Sequence, residues 1–168
     1  MPVRCLRHCD GRLVGHYPVQ STHLSLRHLA LAPNGRIAGA LQFEGNRNQP
    51  GVPLMMFHHG EEALRFADAP QAAWNRMRHY AASVAYDPAS ARFALTCPLG
   101  STVACWNVAG EYVGHIDLPK VSGIAFDANQ GFASTELGEL HRLDLIRLRA
   151  DLHRKFVGLQ WDNHLYLA

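Results

Sequence analysis

The sequence predicts an all-β fold built from repeated, four-stranded antiparallel units. Three observations carry that prediction. First, the string His-Leu-x-Leu-Ala occurs at His28-Leu29-Ala30-Leu31-Ala32 and again at His164-Leu165-Tyr166-Leu167-Ala168. Second, two looser copies lie between them, Ser83-Val84-Ala85-Tyr86-Asp87-Pro88 and Gly123-Ile124-Ala125-Phe126-Asp127-Ala128, each an apolar strand running into a turn. Third, short strands and turn signals fill the intervals, and Trp106-Asn107 stands late in a third strand, where such repeats often carry Trp-Asp. Four short strands at roughly 40-residue spacing is the period of a β-propeller. The chain therefore reads as a β-propeller-like repeat of about three to four blades, part of a larger ring of the seven-bladed type. Residues 1–168 form a single domain or partial propeller, with an irregular insertion at about 68–80.

Each element has a local reason. Leu13–Val19 is extended after the Asp10-Gly11 turn. Leu26–Leu31 alternates and stops at Pro33-Asn34-Gly35, a strong turn signal. Arg36–Phe43 resumes as a strand, Glu44–Gly51 is a polar loop, Leu54–His58 is a third strand and Leu64–Phe66 a short fourth. Ala72–Met77, inside the insertion, favours a helical turn. The next unit runs Ser83–Tyr86, Arg92–Thr96, Thr102–Val108 and Tyr112–Leu118, with turns at Asp87-Pro88, Pro98–Ser101 and Ala109-Gly110. The third runs Ile124–Phe126, Gly131–Thr135 and Glu139–Leu145. Arg147–Lys155 has a helix-like composition, and Val157–Ala168 is expected to return to strand.

Composition narrows the function. The chain has 168 residues, 48% of them hydrophobic, enough for a packed core. A net charge of +2 exerts no strong pull on nucleic acid or a membrane surface. No apolar run approaches the roughly 18 residues of a membrane span. The N-terminus lacks the apolar run and small-residue cleavage site of a signal peptide, which implies a cytoplasmic protein if Met1 is the true start. Of the four cysteines, Cys5-x-x-x-Cys9 with His8 could hold a metal, but no second pair follows at zinc-site spacing. Cys97 and Cys105 read as small buried hydrophobes, with a disulfide between them left open.

No nucleophile elbow, P-loop or dinucleotide fingerprint is present, which disfavours a conventional hydrolase or kinase. In a propeller the residues just before each innermost strand open onto one face and converge. Those candidates are Arg27 and His28; Arg78, His79, Tyr80 and Ser83; Ser122; and Asp162, Asn163 and His164. Arg27, His28, Arg78, Tyr80, Ser83, Asp162, Asn163 and His164 form the expected ligand- or partner-binding set. His28 and His164, at matching repeat positions, are the metal-ligand candidates, with Asp162 beside them, for a transition metal such as iron or else for an anion. The competing reading is that they hold the inner strands in register. Glu44 reads as a solvated loop carboxylate.

Four strings together resemble the domain-of-unknown-function 1513 family: Leu24–Ala30, Arg76–Ala85, Val121–Ala125 and Trp161-Asp162-Asn163-His164-Leu165. The last is the most specific. The resemblance covers the chain from about Gly11 onward and corresponds to the C-terminal half of longer members. It departs at Ser122, where Cys is expected, and at Ala82, where Gly is expected. The resemblance implies a propeller-like protein exported to the periplasm, encoded near imelysin-type proteins and di-haem oxidoreductases of iron uptake. It implies a non-enzymatic binding or scaffold component whose partner is a protein of that system or a small ligand. The alternatives are a metal-dependent or redox enzyme using His28 and His164, or a truncated fragment with no function of its own whose open sheet edges drive association or aggregation; a homo-oligomer that closes the ring is a separate expectation.

Overall fold

The computed structural model describes residues 2–6, 10–19, 21–60 and 62–167, without the side chains of residues 2–6 and Val14. The Cys5-His8-Cys9 motif lies outside the described side chains. Three four-stranded antiparallel sheets follow one another along the chain. Blade I comprises β3 (Leu24–Leu31), β4 (Arg36–Phe43), β5 (Met55–His59) and β6 (Arg65–Phe66), after a two-stranded sheet of β1 (Pro2–Leu6) and β2 (Leu13–Pro18). Helix α1 (Gln71–Met77) precedes blade II: β7 (Ser83–Asp87), β8 (Arg92–Cys97), β9 (Thr102–Asn107) and β10 (Tyr112–Asp117). Blade III comprises β11 (Val121–Phe126), β12 (Gly131–Thr135), β13 (Glu139–Asp144) and β14 (Arg149–Lys155). In each blade the strands pair in sequence order, so successive strands form hairpins, with a long loop over residues 44–54 between β4 and β5. The repeat copies open the blades as β3, β7 and β11, which lie side by side.

Blade II is buried on both faces. Phe93, Ala94, Leu95, Val103, Ala104, Cys105 and Trp106 are fully enclosed, which explains why β8 and β9 read as nearly unbroken apolar runs. One core, with Leu41, Met55, Phe57, Phe93 and Trp106, lies between blades I and II. The other, with Val103, Cys105, Ile116, Ile124 and Leu143, lies between blades II and III. Polar bonds cross the second seam. The Thr96 hydroxyl accepts the Ser83 N–H at 3.0 Å and donates to the Ser122 carbonyl at 2.5 Å. Arg92 Nη1 donates to the Leu145 carbonyl.

Two expectations are corrected. Arg147–Lys155 is not helical: residues 149–155 form β14, paired with β13 from Asp144↔Arg149 to Glu139↔Lys155. Its residues have high helix propensity, but an open edge beside β13 offers a ladder, and tertiary pairing overrides propensity. Residues 157–167 do not form a strand. They run beside the start of β11, where a Cβ on Gly123 would lie 3.2 Å from the Leu165 nitrogen and 3.0 Å from its Cβ. With β3, β7 and β11 this segment frames a shallow apolar groove lined by Leu29, Leu31, Tyr86, Ile124, Phe126 and Leu165. Cys97 and Cys105 are free, buried thiols. Burial pushes the Cys97 thiol well above its usual range and Cys105 up to about 12, so neither is a thiolate at neutral pH.

Candidate functional site

The first inner strand carries a β-bulge. Leu26 pairs with Leu41 and His28 with Ala40, leaving Arg27 as the extra residue. A bulge re-aims the side chains around it. Arg27 turns to Glu44, with 2.8 Å between Nη2 and Oε1, and both groups remain partly exposed. Residues 161–164 reach His28 from the far end of the chain. The Asn163 carboxamide donates to the Ala82 carbonyl at 3.2 Å and to His28 Nε2 at 3.1 Å. One side chain thus joins blade I, the entrance to β7 and the segment after blade III. The His28 and His164 rings lie 5.1 Å apart. Asp162 accepts the His164 N–H at 2.8 Å, and that backbone bond holds its carboxyl below the usual range.

Because the amide nitrogen of Asn163 only donates, His28 Nε2 must accept, which fixes the neutral imidazole with its proton on Nδ1. Burial first, then the charge of His164, lowers the His28 pKa, against an upward pull from Asp162. The same bond occupies the lone pair that a metal would need. Among the described residues no three His, Cys, Asp or Glu side chains are placed together to hold a metal ion. A group depressed from 6.5 in the fold makes a contribution to stability that is complete above pH 6.5 and lost as pH falls through the folded value. Thermal unfolding should therefore show wild type losing stability below pH 6.5 by an increment that His28→Phe lacks; parallel pH profiles would show that the fold does not hold His28 neutral.

The expected site residues divide into four places. His28, Asp162, Asn163 and His164 form this junction. Arg27 is in its ion pair. Ser83 is buried behind, its backbone bonded to Thr96. Arg78 and Tyr80 line a separate cavity of about 540 Å³, two residues along the chain from Ala82. Its walls come from the end of β4, the polar loop, the end of α1 and the turn after β8, and include Phe43, Arg47, Asn75 and Leu99. Arg78 and His79 have φ of 53° and 63°. That left-handed conformation costs an L-residue about 1–2 kcal/mol, and such outliers cluster at ligand clamps. Sequence reasoning missed Arg47 and Asn75; Arg47 joins the cavity only through the packing of loop 44–51 on the helix end, where the Gly51 N–H bonds Asn75 Oδ1. A larger cavity of about 790 Å³ lies between Arg36, His58, Arg65 and Glu111, where charges of both signs mix.

The family model described as "Protein of unknown function (DUF1513)" matches residues 3–168. The chain belongs to this family. No curated protein matches the DUF1513 chain. Solved structures share its fold. The WD40 repeats of RRP9 align with a TM-score of 0.64 at 13% identity, over 90% of this chain and 44% of theirs. A catalytically inactive virginiamycin B lyase from Staphylococcus aureus with quinupristin gives 0.65 at 13% identity, over 94% of this chain and 49% of that one. A protein of unknown function from Bacteroides caccae gives 0.55 at 12% identity, over 84% and 50%. The DUF1513 chain thus spans about half the length of these solved chains. Among the described residues no helix is long and apolar enough to cross a membrane.

Proposed function

We propose that this DUF1513 chain is a non-enzymatic recognition component of a periplasmic iron-uptake system. Its binding face carries Arg27, His28, Arg78, Tyr80, Asp162, Asn163 and His164. The observation that carries the reading is the Asn163 junction, which gathers residues separated by 135 positions at the mouth of the inner strands. The junction commits the His28 lone pair to a hydrogen bond and leaves the exposed His164 and Asp162 side chains facing solvent. A fixed set of donors, acceptors and charges of this kind suits recognition of a partner surface more than proton transfer. The assignment to periplasmic iron uptake draws on the family resemblance.

The test is growth under iron limitation. A deletion strain should grow poorly, and the wild-type gene should restore it. A His28→Ala/His164→Ala gene should not, although its product accumulates and keeps the wild-type far-ultraviolet circular dichroism. Full rescue by that gene would remove the junction from the functional surface. A deletion strain that grows normally without iron would overturn the iron assignment.

A further inference from the structure

The charged residues that line the cavity beside Arg78 are all basic. Arg47, Arg78 and His79 line it, and no Asp or Glu does. Four other arginines have a carboxylate partner: Arg27 with Glu44, Arg76 with Asp117, Arg147 with Asp144 and Arg149 with Asp151. Among the described residues, Arg47 and Arg78 have no carboxylate within ion-pair distance. Basic lining with no carboxylate gives the cavity a positive potential that attracts an anion.

The walls around them are braced. The Phe43 N–H donates to the His79 carbonyl at 2.9 Å, and Gln42 and Tyr80 form a β-bridge. His79 Nε2 donates to the Gln49 carbonyl at 2.7 Å, tying the polar loop to the strained turn. Asn75 Oδ1 accepts the Gly51 N–H at 2.9 Å, which leaves the Asn75 amide hydrogens as donors. The carbonyls of Asn75 and Met77 at the end of α1 are engaged by the Arg78 and Tyr80 N–H groups. Phe43, Tyr80, Pro50 and Leu99 supply apolar and aromatic surface. The Phe43 and His79 rings pack at 5.2 Å. A volume of about 540 Å³ lies within the range of small-molecule sites.

We infer that this cavity is a binding site for a small organic oxyanion, a carboxylate or phosphate ester carried on a flat apolar group. The two guanidinium groups and the Asn75 amide hold the oxyanion, and a guanidinium matches its planar oxygens with paired hydrogen bonds. The flat group lies against Phe43, Tyr80 and Leu99. The left-handed turn at Arg78 and His79 fixes the backbone that presents the arginine at the cavity. This deepens the recognition-face reading but does not share its test, since iron-limited growth probes His28 and His164 and the titration below probes Arg47 and Arg78.

The experiment is calorimetric or ligand-observed NMR titration of the full chain with phthalate, phenyl phosphate, inorganic phosphate and benzylammonium, to about 10 mM. Phthalate or phenyl phosphate should bind and benzylammonium should not. Arg47→Gln, on an exposed loop where folding is not at stake, should weaken binding about tenfold, and Arg78→Gln by a similar factor. Preference for phthalate assigns carboxylates, and preference for phenyl phosphate assigns phosphate esters. Failure of both aromatic anions to bind would overturn the inference, as would unchanged affinity in Arg47→Gln and Arg78→Gln. Equal affinity for phenyl phosphate and inorganic phosphate would remove the apolar half of the site.

Discussion

Trp106→Ala should lower the melting temperature by on the order of 10 °C or more. Trp106 is fully buried on β9 at the seam between blades I and II. Its ring stacks on Trp74 of α1 at 5.5 Å and meets the Tyr112 ring edge-on at 5.4 Å. Its Nε1 donates to the Asp68 carbonyl at 2.9 Å, so it also pins the segment that leads into the helix. Truncation removes the stacking, opens a cavity and orphans a carbonyl, which together cost about 3–5 kcal/mol. That is a large share of the roughly 5–15 kcal/mol that stabilises a domain. At about 2–4 °C per kcal/mol for a chain of this size, the shift is easily measured by calorimetry. A drop of under about 3 °C would mean that the seam is held elsewhere.

Gly100→Ala should be nearly as damaging, for a different reason. Gly100 ends the 3-10 turn over Pro98–Gly100, and a Cβ there would lie 2.1 Å from the Arg76 carbonyl oxygen. That oxygen and the Met77 Cα, 3.0 Å from the added Cβ, are backbone atoms, so no side-chain rotation relieves the clash, and the end of α1 must lift. Overpacking of this kind costs about 1–3 kcal/mol. The lifted segment carries Asn75 and Arg78, so oxyanion affinity should fall along with stability. The paired measurement is thermal unfolding and phthalate titration of the same sample. Wild-type stability with wild-type affinity would show that the helix end is not seated on the turn.

The strands were legible because each obeys a local rule. Pro33-Asn34-Gly35 is the turn after β3, Asp87-Pro88 the turn after β7 and Ala109-Gly110 the turn after β9. The repeated His-Leu-x-Leu-Ala marked two places that the structure brings together, with His28 beside His164. The misread segments are those whose state depends on a distant neighbour. Residues 149–155 look helical until β13 offers an edge, and 157–167 look like a strand but make no ladder. The cavity shows the same limit. Arg78 and Tyr80 were marked by repeat position, whereas Arg47 sits in a loop whose sequence says only that it is polar. Nothing local announces that Gln49 will bond His79 or that Gly51 will bond Asn75.

The Asn163 junction also sets an order of events in the cell. A ribosome adds residues at about 5–20 per second, and domains form as their residues emerge. Blades I and II contain their own hairpins and the seam between them, so they can assemble while later residues are still being made. His28 and Ala82 must then wait for residue 163, their shared partner, to leave the exit tunnel. Until that moment the imidazole is solvated and free to take a proton. The Asn163 junction therefore forms only after blades I and II, and a translation product that stops short of residue 163 would carry those blades without it.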